Sequence, residues 1–113
     1  MTASPDLLRA LRAKLRRDMP ITRALGLRVV GHEGGGLVLC SPLEPNINHK
    51  GTAFAGSLNA TATLAGWGTI WLALREHGIR SHVVIQHSTV HYFRPVTGEG
   101  VFQVPVGPVH AGI

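Results

Sequence analysis

Between Pro5 and Asp18, leucines recur at helical spacing (Leu7, Leu8, Leu11, Leu15) and arginines fill the positions between them. One face is apolar and the other basic, which predicts an amphipathic helix. Ser4 is its expected N-cap, Pro5 and Asp6 open it, and Met19-Pro20 ends it. Residues 1–19 therefore read as one unit and 20–113 as the main domain. Beyond residue 20 the period changes. Leu25-Gly26-Leu27 leads into a strand expected from Arg28 to about His32. Gly34-Gly35-Gly36 turns the chain, and Leu37 to Leu43 returns as a second strand closed by Pro42 and Pro45, a hairpin signal. A polar loop, Asn46 to Gly51, follows. One long helix is expected from about Ala55 to His77, with Gly78 as its terminating glycine. His82 to Phe93, rich in Val, Ile, Thr, Tyr and Phe, predicts a long strand. Arg94 to Gly98 turns it, and Glu99 to Val106 predicts a fourth.

No charge occurs from Gly51 to Leu74, so a membrane helix has to be weighed. Asn59, Thr61, Thr63 and Thr69 are spread around that helix, and no aromatic belt marks both ends. A helix that is apolar nearly all round fits the centre of a water-soluble fold instead. Ala60, Ala62, Ala65 and Gly66 are small enough for a sheet to approach closely. The order helix, strand, strand, long helix, strand, strand indicates α+β. A four-stranded sheet leaves an open edge, which calls for a second chain. The length of 113 residues, with 44% apolar and 15% charged positions, fits one globular domain.

Net charge is +5, but the excess sits in the first quarter, where no aromatic residue accompanies it. That reads as a solvated helix face rather than a nucleic-acid surface. The single cysteine, Cys40, lies in an apolar run and reads as a core thiol. One cysteine and no continuous apolar leader point to a reducing, cytoplasmic setting. His82, His87 and His91 do not fall on one strand face and have no Cys or Asp beside them, so no metal and no cofactor are expected.

The candidate chemistry lies in Asn46 to Ser57, where a polar loop with small residues runs into the start of the long helix. The first N–H groups of a helix lack internal partners and sit at its positive end. Ala55, Gly56 and Ser57 carry no bulk to block an approaching carbonyl. Such donors can hold the oxyanion of an attacked carbonyl; a plain capped turn would look the same in sequence.

The run Asn46-Ile47-Asn48-His49-Lys50-Gly51-Thr52-Ala53-Phe54-Ala55-Gly56-Ser57 resembles the thioesterase family typified by the YiiD C-terminal domain. Leu64-Ala65-Gly66-Trp67-Gly68 and Tyr92-Phe93-Arg94-Pro95-Val96 agree with it. The resemblance implies a hotdog fold, a long central helix wrapped by an antiparallel sheet, with the last strand or strands lacking after Gln103-Val104-Pro105. It also implies a homodimer or tetramer acting on acyl-CoA or acyl-carrier-protein thioesters. Asn48, Ala55 and Gly56 would meet the thioester carbonyl. Asn46, His49, Lys50, Thr52, Phe54, Ser57, His87 and Ser88 are the candidates for lining the substrate; Lys50 reads either as a solvated loop lysine, the simpler reading, or as a contact for coenzyme A phosphates.

Two departures bear on activity. The family more often has Gly at the position of Ala55. Several hotdog thioesterases place a carboxylate on the central helix, where this chain has Thr63. Threonine cannot act as a carboxylate base, so His49 and His87 become the candidates for activating water. Two functions follow: a thioester hydrolase, or an acyl-thioester-binding protein of weak or no activity.

Overall fold

The computed structural model describes residues 3–33, 36–98 and 100–103. Helix α1 spans Pro5–Asp18. Ser4 Oγ accepts the Leu7 N–H at 3.2 Å. Leu11 and Leu15 are buried, while Leu7 and Leu8 pack partly against the core. A short helix, α2, covers Ile21–Leu25 and was not expected from the pattern. Thr22 ties it to α1 by donating to the carbonyls of Leu15 (3.0 Å) and Met19 (2.8 Å). Gly26 closes α2 in the left-handed region at φ 66°.

Strands β1, Arg28–Glu33, and β2, Gly36–Ser41, form the predicted hairpin. Pairing runs from Arg28 opposite Cys40 to Glu33 opposite Gly36, with a bulge between Val29 and Gly31. β2 stops two residues earlier than Leu43 because Pro42 has no N–H to continue a ladder. β3, Gly100–Gln103, pairs antiparallel with β2, so the order is β1-β2-β3 with β2 central. The remainder of the strand expected to reach Val106, and the segment after it, lie outside the described residues.

Helix α3 runs unbroken from Ala55 to Glu76, close to its expected bounds. It packs on β2, burying Thr61, Leu64, Ala65, Trp67, Gly68, Trp71 and Leu72. A Cβ on Gly68 would overlap Leu37 Cδ2, so the absent side chain permits the close approach of helix and sheet. Gly78, at φ 71°, ends the helix, its N–H donating to the Arg75 carbonyl (3.0 Å). Among the described residues no helix is long and apolar enough to cross a membrane.

The strand expected over His82–Phe93 does not form; the segment carries no ladder. β-propensity favours an extended backbone, but a strand also needs a hydrogen-bonding neighbour, and none of the described strands lies alongside it. Instead it is tied to α3 and its approach loop at separate points. Trp67 Nε1 donates to the Val83 carbonyl (2.7 Å), Tyr92 donates to the Ala55 carbonyl (3.0 Å), and Val96 accepts the Ala53 N–H (2.8 Å). Val83 and Ile85 pack against the core, whereas Val84, Tyr92 and Phe93 are exposed.

Two neighbouring glycines should respond oppositely. Gly68→Val should destabilise by about 1–3 kcal/mol, because Leu37 is fully buried and has little room to yield. Gly66→Ala meets nothing within 4 Å and should stabilise by roughly 0.5–1 kcal/mol from helix propensity. Urea unfolding of the two variants checks both signs.

Candidate active site

The loop leading to α3 is built by two asparagines. Asn46 ends a 3-10 turn, Glu44–Asn46, and is buried. Its Nδ2 donates to the carbonyls of Leu25 (2.8 Å) and Pro42 (2.7 Å), and its own carbonyl accepts the Phe54 N–H (2.7 Å). Asn46 thus anchors the loop to α2 and fixes where α3 starts.

Asn48 organises the next turn. Its Oδ1 accepts the N–H groups of Lys50 (2.9 Å) and Thr52 (3.1 Å). Its Nδ2 donates to Thr52 Oγ1 (2.8 Å) and the Ala53 carbonyl (3.4 Å). A left-handed Gly51, φ 76°, closes the turn. Both amide hydrogens of Asn48 are therefore directed into the loop. They are spent on its folding, as polar groups of a half-buried loop have to be.

The first turn of α3 is different. Phe54 caps it without a side-chain bond, and its carbonyl accepts the N–H groups of Ser57 (3.0 Å) and Leu58 (3.1 Å). Among the described residues the N–H groups of Ala55 and Gly56 have no acceptor, and both residues are exposed. Two adjacent donors thus stand open at the positive end of a 22-residue helix. The Phe54 ring lies over Gly56, where a Cβ would come within 2.5 Å of Cε2.

Tyr92 was not among the residues singled out from sequence, although it stands in one of the motifs. Its hydroxyl bond to the Ala55 carbonyl falls on the peptide unit that carries the Gly56 N–H. Donation to a carbonyl polarises its peptide and strengthens the N–H as a donor.

The other candidates are more dispersed. Thr52 and Ser57 are half-buried beside the turn, and His49 and Lys50 are exposed at its tip. Thr63 is half-buried two turns into α3. His87 and Ser88 are exposed on the segment before Tyr92; His87 Nε2 lies 3.4 Å from Thr89 Oγ1. Glu76, in the last turn, is the only acid on α3. Among the described residues no three His, Cys, Asp or Glu side chains are placed to hold a metal ion.

Residues 8–109 match the family described as "Putative thioesterase (yiiD_Cterm)". The chain belongs to this YiiD C-terminal-domain family. It is similar to the structure described as the "putative thioesterase" from Shewanella oneidensis, with 31% identity and a TM-score of 0.81 over 85% of this chain and 71% of that one. It is also similar to a protein of unknown function from Chlorobaculum tepidum, with 34% identity and a TM-score of 0.84 over 88% of this chain and 61% of that one. The chain thus spans about two thirds of the length of these relatives. Membership carries a thioesterase-like hydrolase function at the coarse level.

The Asn48 geometry yields a stability test. Asn48→Ala removes four hydrogen bonds within one turn and should cost about 1–3 kcal/mol. Amide exchange at Lys50 and Thr52 should accelerate with it. Exchange unchanged from wild type would show that the turn does not depend on this side chain.

Proposed function

We propose that this protein hydrolyses acyl thioesters of coenzyme A or an acyl carrier protein on a hotdog fold. The observation that supports this reading is the pair of open N–H groups of Ala55 and Gly56. The thioester oxygen accepts from both, which draws electrons from the carbonyl carbon. Water attacks that carbon, its proton passes to a base, and the negative charge gathers on the oxygen between the two donors. Collapse of the tetrahedral species restores the carbonyl and expels the thiolate, which takes up a proton. Donors fixed before reaction stabilise this charge without reorganising. In this reading Asn46 and Asn48 shape the loop, Thr52, Phe54 and Ser57 flank the acyl group, and Lys50 meets the phosphates of the carrier. His49 or His87, with Ser88 beside it, serves the attacking water, since Thr63 cannot.

A homodimer or tetramer in the cytoplasm belongs to the same proposal. The long helix on a three-stranded sheet suits a hotdog protomer, and exposed Val84 and Phe93 (85% and 90%) suit cover by a second copy. The second reading, acyl-thioester binding without turnover, draws on one observation: α3 has no acid before Glu76.

Thiol release from a panel of acyl-CoAs separates the two readings. Hydrolysis is expected, and binding without thiol release would establish the second reading in its place. In the hydrolase, Tyr92→Phe should lower kcat by about two- to tenfold with KM unchanged, because the hydroxyl acts through the Gly56 N–H. An equal kcat in that variant would remove Tyr92 from the mechanism.

A further inference from the structure

A groove of about 320 Å³ opens between α1, α2 and β1. Leu15, Leu27 and Val29 form its apolar floor, and Arg12, Arg16 and Arg28 stand around it with Thr22. None of these residues belongs to α3 or the loop before it. Among the described residues no acidic residue lines the groove. Two of the guanidinium groups are held in place: Arg12 donates to the Val29 carbonyl (3.0 Å), bridging α1 to β1, and Arg28 reaches Cys40 Sγ at 3.5 Å. Thr22 spends its hydroxyl on the carbonyls of Leu15 and Met19.

The acids of α1 are engaged elsewhere. Asp6 pairs with Arg9. Asp18 pairs with Lys14 and Arg17, whose hydrogen bonds, Arg17's foremost, hold its carboxyl at about 2. Among the described residues no ion pair includes Arg12 or Arg16. Arg12 and Arg16 therefore stand over an apolar floor, outside any ion pair among the described residues.

We infer that this groove binds a small anionic amphiphile, a carboxylate or phosphate head on a short hydrocarbon tail. Guanidinium forks match both head groups, and a fork already held in place loses less freedom on binding. The leucines and Val29 take the tail out of water. The volume lies at the small end of ligand sites, which favours a short chain over a long one. The inference is independent of the hydrolase reading, because it concerns binding in a different part of the fold.

Calorimetric titration of the whole protein with octanoate, octyl phosphate, octanol and inorganic phosphate tests it, with amide shifts locating the site. Octanoate or octyl phosphate should bind, shifting residues 12–16 and 27–29, and the tighter of the two identifies the head group. Arg16→Gln, an exposed change, should weaken binding about tenfold, and Arg9→Gln, with the same loss of charge outside the groove, should leave it unchanged. Four results would overturn the inference: no binding; octanol or inorganic phosphate binding as tightly; equal weakening by Arg9→Gln and Arg16→Gln; or shifts confined to the first turn of α3.

Discussion

Three elements converge on Gly68. Leu37 of β2 occupies the space that a Cβ would need, and Leu11 of α1 approaches the same point to 3.7 Å. Leu11 and Leu37 are both fully buried. Thr69, next in the helix, spends its hydroxyl on the Ala65 carbonyl (2.8 Å) and accepts the Leu37 N–H at 3.4 Å. Helix α3 is therefore held against the middle strand at a separation set by a missing side chain. Close-packed interiors pass such constraints along rigid elements. The direction of α3, and so the place where its first turn emerges, follows from this contact.

The other end of that constraint is the loop. Asn46 binds carbonyls of α2 and of the segment after β2, and passes the position on through the Phe54 N–H. The two helix donors are left open beside a loop whose Asn48 spends its amide on four bonds inside one turn. Both loop asparagines direct their side chains to other groups than the helix N–H pair.

The sequence made some of this legible and not the rest, for identifiable reasons. α1 carries a helical period, the hairpin a triple-glycine turn between apolar runs, and α3 a long charge-free run, with Ser4, Pro42 and Gly78 as punctuation. α2 has five residues, too few for a helical period; its traces are Pro20 before it and Gly26 after it. His82–Phe93 has the composition of a strand, but pairing depends on a neighbour that composition does not name. In the candidate site, the stretch Asn46 to Ser57 was legible as a polar loop entering a helix. What Asn46 does was not, because its acceptors include Leu25, 21 residues away. Tyr92 was missed for the same reason: its bond to Ala55 spans 37 residues.

In the hydrolase we propose, the absence of an acid on α3 before Glu76 divides the chemical work. A carboxylate near the first turn would compete for the N–H groups of Ala55 and Gly56 and neutralise the positive end of the helix. No acid stands in the first turn of α3, so nothing there offsets its attraction for a developing oxyanion. With no acid on α3 before Glu76, proton transfer in the proposed hydrolase has to be supplied by another element. The segment carrying Tyr92 is already tied to the helix start, and His87 precedes Tyr92 by five residues, within about 18 Å of chain at full extension. In the hydrolase we propose, polarisation of the carbonyl and activation of water fall to different elements: the first to the terminus of α3, the second to an imidazole outside that helix.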